Sequence, residues 1–391
     1  MNGKRRQELL QLTTKLIQTP SITGTEATIV ELVKKEMLNH HFDEVFIDAV
    51  GNIIGKINGN GNGSTLLFDG HLDTVAIANR DSWTTEPFGG EIKDGNIYGR
   101  GSSDMKGALA AMIIAASEAK RLGLNKGDIY VSGTIFEEIA EGYTLESVIT
   151  QTNPSVVIIG EATELKLNIG QRGRAEILLK TTGVPAHSSH PEVGVNAVYH
   201  MMRLVQEIQR LERNIHPALG RGDYVLTDII SSPYPGASVV PETCFATFDR
   251  RLLIDETIDS VLLPLQKIIE KLHSQDGTFN AEVTVAKMKI DTYTGHSSTH
   301  KKFAPAWLME KENIHVRKAI DALREAFQKE PEIGTYSFCT NGSSSCGKLK
   351  IPTIGYGPSK ESLAHIRDEY IEIEQLEKAY TGYLALMNGM G

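Results

Sequence analysis

The sequence predicts an α/β protein whose larger domain has a mainly parallel central sheet flanked by helices and is interrupted by a smaller α+β domain. Two observations support this prediction. In both end parts of the chain, apolar strand patterns alternate with helical patterns, as in parallel sheets. Between residues 172 and 290, half-exposed strand patterns alternate with amphipathic helices instead. We therefore expect the larger domain to comprise residues 1–171 and 291–391, around an inserted domain of residues 172–290.

Length and composition indicate a folded protein. Its 391 residues exceed one core of ordinary size, and 40% hydrophobic with 23% charged residues leave room for a large buried core. The formal net charge is -9, with acidic and basic residues mixed, so we expect no nucleic-acid partner. Cys244, Cys339 and Cys346 form no CxxC pair, which predicts reduced thiols. The amino terminus lacks an unbroken apolar run, which predicts a cytoplasmic protein without a membrane partner.

The first 75 residues open with two helical patterns and then change period. Helices are predicted over Arg5–Gln18 and Glu26–Leu38, the second with Thr25 as its N-cap. From Glu44 to about Thr74, short β-rich runs alternate with turns. Asn58–Gly63 reads NGNGNG and predicts a hairpin connection rather than a phosphate loop, because no helix follows it.

Later elements continue the alternation. A helix rich in small residues is predicted over Met105–Leu122, and apolar strands over Ile129–Phe136 and Ser155–Ile159. The other predicted elements are strand Arg174–Thr181, helices Asn196–Arg213 and Glu256–Ser274, strand Glu282–Lys289, helix Asn313–Gln328, strand Thr353–Tyr356 and a helix from about Glu372.

The first segment with site chemistry follows the strand pattern Thr65–Phe68 and reads DGHLDT. In an extended chain His71 and Asp73, two residues apart, project to the same side. A histidine that binds a metal needs a partner on its other ring nitrogen, and the Asp73 carboxylate could be that partner. A histidine with a purely structural role explains HxD at least as well.

The second segment is the glycine-rich loop Gly99–Gly107, which reads GRGSSDMKG. Glycines let a backbone approach a ligand closely, and the two oxygens of Asp104 could each bind a different metal ion. The simpler alternative is that Asp104 caps the following helix.

The third segment, Phe136-Glu137-Glu138, ends a predicted strand. Successive residues there point in different directions, so one carboxylate can bind a metal while the other accepts a proton from activated water. A solvent-exposed acidic pair is the alternative.

Two further candidates follow apolar strands. Glu161 comes after Ser155–Ile159 and Gly160, at a carboxyl end where α/β sheets build their sites. His365 follows the turn Gly355–Pro358. A single histidine in a loop is usually not a metal ligand. Together, however, the candidates give two histidines, three carboxylate ligands and one spare carboxylate, a set that suits a pair of zinc-like ions.

The motifs GHLDT, GRGSSDMKG, FEE, GEAT and the late AH follow one another across nearly the whole chain. In order and spacing they resemble the dizinc amidohydrolase and exopeptidase family of acetylornithine deacetylase, succinyl-diaminopimelate desuccinylase, aminoacylase and the glutamate carboxypeptidases. The resemblance implies two divalent metal ions per chain, zinc first, with cobalt or manganese as alternatives. It implies that Asp104 bridges them, with His71 and Glu161 completing one site and Glu138 and His365 the other.

The same resemblance implies roles for neighbouring residues. Glu137 would be the general base, and Asp73 would orient His71. The peptide bond between Asp104 and Met105 would take the rare cis form.

The inserted domain resembles the family's lid, which implies a homodimer formed through residues 172–290. His187, in PAHSS, would reach across the dimer and donate to the oxyanion. Arg251, in DRR, would bind the substrate carboxylate through its planar fork. From the residues alone, His187 is only a polar residue in a turn, and an ion pair at a strand edge explains Arg251 equally well.

Two segments depart from many relatives. They are Ser238–Pro241, which reads SVVP, and the loop at residues 339–342, which reads CTNG. Both are expected to contact substrate, the second through Asn341 and Gly342, and they argue against acetylornithine and succinyl-diaminopimelate as substrates. With QRGR at Gln171–Arg174, these features look closest to a subfamily of hydrolases associated with selenium metabolism.

The expected activity is hydrolysis of an amide bond in a small substrate with a carboxylate, such as an N-acyl or N-carbamoyl amino acid. A di- or tripeptidase or a carboxypeptidase is the alternative within the family. A catalytically silent metal-binding dimer is the alternative outside enzymes, although a purely structural site has no need of the spare carboxylate at Glu137.

Overall fold

The computed structural model describes all residues from Met1 to Gly391. Its helices are α1 Gly3–Ile17, α2 Ala27–Asn39, α3 Gly107–Leu122, α4 Leu145–Thr152, α5 Ala197–Gln209, α6 Ile258–Gln275, α7 Ile314–Phe327 and α8 Ile373–Met390. Its strands are β1 Glu44–Ile47, β2 Ile53–Ile57, β3 Leu66–His71, β4 Ile92–Lys93, β5 Asn96–Tyr98, β6 Ile129–Thr134, β7 Val156–Ile159, β8 Leu167–Gln171, β9 Gly173–Thr182, β10 Ile215–His216, β11 Gly220–Arg221, β12 Tyr224–Ser232, β13 Thr243–Leu252, β14 Asn280–Val285, β15 Lys287–Asp291, β16 Ser297–Lys301, β17 Phe303–Ala304, β18 Trp307–Leu308, β19 Ile333–Tyr336, β20 Thr353–Gly355 and β21 Tyr370–Glu372.

The chain divides into two compact units. The first consists of Met1–Gln171, Ile290–Ser298 and Trp307–Gly391, and the second of Arg172–Lys289 and Thr299–Ala306. None of the helices combines the length and apolar character that crossing a bilayer requires.

The first unit is built on a nine-stranded sheet in the order β1-β2-β6-β3-β7-β20-β8-β18, with β19 also paired to β8. The middle strands β6, β3, β7 and β20 are parallel to one another, whereas antiparallel pairs lie on both sides of them. The α/β fold class is therefore confirmed, but the sheet is mixed rather than mainly parallel.

Helices cover both faces of this sheet. On one face Leu145 and Val148 of α4 pack with Leu67 and Val157 of the middle strands. Gly70, three residues after Leu67 on β3, faces the other side, where it lies against α3. Burial on both faces explains why β7 and the first half of β3 are apolar, and why neither strand has an exposed residue.

Two local predictions in the first unit are wrong. Asn58–Gly63 does not close a hairpin, because β6 lies between β2 and β3 in the sheet and pairs with both. Instead, backbone amides of Asn60 and Gly61 donate to carbonyl oxygens of Asn125 and Lys126. Thr25 is not the cap of α2 either: Glu26 occupies the N-cap position, and the Thr25 hydroxyl donates to the carbonyl of Ile22.

The second unit is an antiparallel sheet in the order β12-β13-β9-β14, with β17 also paired to β9. Residues of β9 and β13 alternate between buried and half-buried, since only one face meets the core. That core includes Leu204 of α5, Leu265 of α6 and Phe248 of β13. β12 lies at the edge of the sheet, and most of its residues are exposed.

Candidate metal centre

The predicted metal ligands lie at one edge of the large sheet. His71 ends β3, while Glu138 and Glu161 follow β6 and β7 in the chain. Because these three strands are parallel neighbours, their carboxyl ends meet at the same edge. The turn Ser102–Lys106 before α3 brings Asp104, and the loop between β20 and β21 brings His365.

Asp104 lies at the centre of this cluster. Its Oδ1 is 2.8 Å from Nε2 of His71, and its Oδ2 is 3.1 Å from Nε2 of His365. Nε2 of His71 is also 3.4 Å from Oε1 of Glu161, and Nε2 of His365 is 2.8 Å from Oε2 of Glu138. Each oxygen of Asp104 therefore faces a different histidine, and each histidine has its own glutamate. The peptide bond between Asp104 and Met105 is cis, as predicted.

Backbone packing places Glu161 beside the end of β20. A Cβ built on Gly357 would lie 2.3 Å from the carbonyl oxygens of Gly160 and Glu161. Only glycine permits this close approach of the two chain segments.

Glu137 is buried, with 6% of its surface exposed, and its Oε1 has no hydrogen-bond partner. One ligand atom each from Glu137, His71 and Glu161 lie within 4.8 Å of one another. Burial raises the pKa of Glu137 well above its ordinary value, and the negative charge of Glu161 adds to the effect, although His71 opposes it. A buried carboxylate oxygen without a partner is what a proton acceptor needs.

The cluster carries more acidic than basic groups. Burial alone would lower the pKa of His71, but the charges of Glu161 and Asp104 raise it well above its ordinary value. Hydrogen bonds that His365 donates to Asp104 and Glu138 raise its pKa to about 10. Burial raises the pKa of Glu138 to about 7, and the charge of Asp104 adds to the effect. The carboxylates thus attract positive charge at the imidazole nitrogens, where metal ions would also be bound.

The residues fit a pair of divalent cations. All donors are carboxylate oxygens and imidazole nitrogens, the set that zinc, cobalt and manganese accept. His71, Asp104 and Glu138 each offer one such atom within 4.8 Å of the others. All three cysteines are free, as predicted. The fit therefore rests on nitrogen and oxygen ligands.

Asp73 differs from its prediction. Nδ1 of His71 is 2.8 Å from the backbone carbonyl oxygen of Asp73 but 3.6 Å from its carboxylate. The carboxylate accepts hydrogen bonds from the backbone amides of Glu137 and Glu138, at 3.0 and 3.1 Å, and from the Thr23 hydroxyl. Asp73 therefore contacts His71 through its main chain and fixes the glutamate turn through its side chain.

Sequence reasoning missed a buried carboxylate behind this turn. Glu26 is fully buried, and its Oε1 accepts from the backbone amides of Gly24 at 2.8 Å and Phe136 at 3.4 Å. Phe136 has a φ of 59°, an unfavourable conformation for a residue with a side chain, so its neighbours must hold it there. In the sequence, Glu26 is only a glutamate at the start of a predicted helix, and such a residue usually indicates helix capping.

His187 and Arg251 belong to the second unit. His187 is exposed, and its Nδ1 is 2.7 Å from the Ser189 hydroxyl. Nε of Arg251, on β13, is 3.0 Å from Oδ1 of Asp249, and 30% of its side chain is exposed. Their catalytic and substrate-binding roles stay predictions.

Asn341 and Gly342 are held by contacts within the protein. Asn341 is buried, and its amide group donates to Asp69 at 2.8 Å and Thr134 at 2.9 Å while it accepts from the backbone of Gly142 at 2.6 Å. The Gly342 amide donates to the Thr340 hydroxyl, and the residue lies against the Trp307 ring. These hydrogen bonds give both residues structural contacts, and their contact with substrate stays a prediction.

Comparison with known proteins identifies a matching family, sequence relatives and solved structures with the same fold. The family described as Peptidase family M20/M25/M40 matches residues 67–389. The chain is 33% identical to the uncharacterized protein YgeY of Escherichia coli K12 over 362 residues, covering 90% of this chain and 87% of that protein. It is 27% identical to succinyl-diaminopimelate desuccinylase 2 of Ruegeria sp. TM1040, covering 96% and 93%. The solved structure of the M20 family metallo-carboxypeptidase Sso-CP2 of Sulfolobus solfataricus has the same fold, with a TM-score of 0.77, 17% identity and coverage of 98% and 99%.

Proposed function

This chain belongs to peptidase family M20/M25/M40 and is a metal-dependent hydrolase, and from this we propose that it cleaves the amide bond of a small carboxylate-bearing substrate. The proposed substrates are N-acyl or N-carbamoyl amino acids. The named desuccinylase, a relative along nearly the whole chain, supports an acylated amino acid. The enzyme family argues against the catalytically silent dimer.

The position of Asp104 is the main evidence for our proposal that the site binds two metal ions. Its two oxygens face His71 and His365, at 2.8 and 3.1 Å, and no other carboxylate of the cluster contacts both histidines. We propose that Asp104 is shared by both ions, with His71 and Glu161 at one site and His365 and Glu138 at the other. Zinc is the proposed metal.

We propose the following division of labour. Cations bound by these residues would acidify an attacking water molecule and polarise the scissile carbonyl group. Glu137 accepts the proton of that water and then transfers it to the nitrogen of the breaking C–N bond, so that acid and free amine leave. Asp73 holds the backbone of Glu137 in place. His187 donates to the negatively charged oxygen, and Arg251 binds the substrate carboxylate.

The second unit is proposed to be the lid and the homodimer contact, with residues 172–290 as the inserted domain. Its edge strand β12 exposes the apolar side chains Val225, Leu226, Ile229 and Ile230, of which Val225 is 51% exposed. An unpaired apolar edge strand offers both backbone hydrogen bonds and hydrophobic contact. A second copy of the chain, paired along β12, would satisfy both.

The test is release of free amine from a panel of N-acyl amino acids, N-carbamoyl amino acids and dipeptides, with zinc, cobalt or manganese added. Metal-dependent turnover of acylated amino acids supports the proposal. Turnover of dipeptides alone would instead establish the peptidase alternative. Glu137→Gln is expected to lower kcat by about 10²- to 10⁴-fold while keeping its metal, whereas Glu164→Gln, the same change at an exposed glutamate, is the matched control.

A further inference from the structure

A buried ion pair beside the metal cluster has no part in the chemistry proposed above. Nη1 of Arg100 is 2.7 Å from Oε2 of Glu369. Arg100 is 4% exposed and Glu369 is completely buried. Burying two charges is costly, and such pairs often add little to stability compared with apolar residues. A contribution to stability alone therefore does not explain the pair.

The other oxygen of Glu369 contacts the loop that carries the shared ligand. Oε1 accepts hydrogen bonds from the backbone amides of Ser103, at 2.9 Å, and Asp104, at 3.1 Å. These bonds fix the main chain of Asp104 at the residue whose side chain faces both histidines.

Arg100 contacts the loop that carries the second histidine. Its Nη2 donates to the backbone carbonyl of His365 at 3.4 Å, and its guanidinium lies 5.2 Å from the centre of the Trp83 ring. His365 has a φ of 61°, which costs free energy for any residue with a side chain. Its conformation therefore depends on neighbouring groups that hold the loop.

Arg100 and Glu369 lie just beyond the ends of two paired strands. β5 and β21 are antiparallel, with Tyr98 opposite Tyr370. Immediately beyond this pair, the Gly99 amide donates to the Glu369 carbonyl at 2.8 Å. The side chains of Arg100 and Glu369 then link the two loops beyond the strands, at the point where both approach the cluster.

The other metal site has different supports. His71 is part of β3, and its Nδ1 is held by the Asp73 carbonyl. Glu161 follows β7, where the Gly160 amide donates to the Asp69 carbonyl at 3.0 Å. Both residues are thus fixed by the middle of the large sheet, without a contact to Arg100 or Glu369.

We propose that Arg100 and Glu369 are positioning residues. They fix the loop of Asp104 and the loop of His365 relative to each other. The site of His365 and Glu138 then depends on this pair through two ligands, Asp104 and His365, while the site of His71 and Glu161 depends on it through Asp104 alone and otherwise on the sheet. This inference rests on the proposed two-metal function. It assigns the pair an effect on metal binding that a general contribution to stability would not produce.

Two conservative variants test the pair separately. Arg100→Lys keeps the positive charge but loses the second contact of the planar guanidinium, and Glu369→Gln keeps the shape but loses the charge. The control is Glu118→Gln, because Glu118 forms a comparably buried ion pair with Arg5 at 2.8 Å, away from the cluster. Zinc and cobalt binding to each metal-free protein is measured by titration calorimetry, and the cobalt absorption spectrum reports each site. His365→Ala supplies the reference spectrum for the first site alone.

Wild-type protein is expected to bind two ions. Loss of these contacts is expected to weaken the second ion by about 10- to 100-fold in both pair variants. The first ion, which shares only Asp104 with the pair, should weaken clearly less, and the control should bind both ions as the wild type does. Thermal unfolding checks that each variant is folded. If only one of the two pair variants folds, its metal affinities alone test the proposal. Two ions bound with wild-type affinity, or equal weakening at both sites, would overturn the inference. A wild-type protein that binds fewer than two ions would instead overturn the two-metal function itself.

Discussion

In the proposed two-metal centre, Asp104 would be a ligand of both sites. Since its two oxygens face different histidines, Asp104→Asn should impair both sites, because an amide has only one oxygen and no charge. His365→Ala should remove one site only. We expect fewer than one tightly bound ion in the first variant and about one in the second, by elemental analysis after dialysis. Equal, full metal content in both variants would refute the shared role.

A substitution at Asn341 distinguishes a role in stability from a role in substrate binding. Removing its amide in Asn341→Ala leaves buried groups of Asp69 and Gly142 without their partner. We expect the free energy of unfolding to fall by about 1 to 3 kcal/mol, measured in urea. KM should stay within about twofold of wild type. A large rise in KM with unchanged stability would restore the predicted substrate contact.

At the scale of single residues, the sequence predicted which side chains converge but not all of their contacts. Strand patterns followed by His71, Glu138 and Glu161 were sufficient, because carboxyl ends of parallel strands meet. The contact of Asp73 was missed because spacing does not distinguish a carboxylate from a backbone carbonyl as partner. The tie between Arg100 and Glu369 depends on residues far apart in sequence, and no local pattern indicates it.

The elements α1 and α3 are joined by an ion-pair network. Arg121 donates to both oxygens of Glu118, and Nε of Arg5 donates to Oε2. These hydrogen bonds, with that of Arg121 largest, lower the pKa of Glu118 to about 2. A folded pKa below the unfolded value contributes stability above the unfolded pKa of about 4.5, and this is lost as the pH falls toward 2.

Glu118→Gln should therefore destabilise the protein most near neutral pH. We expect its free energy of unfolding to be lower by about 1 to 3 kcal/mol at pH 7. The difference from wild type should begin to shrink near pH 5, fall to about half by pH 3 and be mostly lost near pH 2. Urea unfolding at several pH values measures this. A difference that stays constant with pH would show that the carboxylate charge contributes nothing.

At the scale of elements, strong local periodicity was enough for most helices and strands. Helix α7, predicted as Asn313–Gln328, spans Ile314–Phe327. The hairpin at Asn58–Gly63 was wrong because strand order in a sheet is set by long-range pairing, and β6 enters between two strands that are consecutive in sequence. Turn residues alone cannot reveal such an insertion.

For the whole molecule, the proposed homodimer through β12 can be tested directly. Ile230 is 47% exposed on that edge strand. Ile230→Lys would place a charge in the proposed contact, so we expect a dimeric wild type and a monomeric variant by sedimentation. Lys267→Arg, a change within a helix of the same unit, is the control. A variant that stays dimeric would place the contact elsewhere.

Mixing two inactive variants tests whether His187 acts across that dimer. In a heterodimer of His187→Ala and Glu137→Gln chains, one site would combine an intact Glu137 with the intact His187 of the other chain. We expect about a quarter of wild-type activity after equal mixing and exchange, since half of the dimers then hold one working site. Activity that stays at the level of the separate variants, with exchange verified, would place His187 in its own chain's site or outside catalysis.

The most direct test of the central claim is the number of metal ions that the wild-type chain binds. After reconstitution of metal-free protein with zinc and removal of loose metal, the geometry around Asp104 predicts about two ions per chain, together with metal-dependent amine release. A folded protein that binds no more than one ion, or that releases amine equally well in chelator, would contradict the two-metal account.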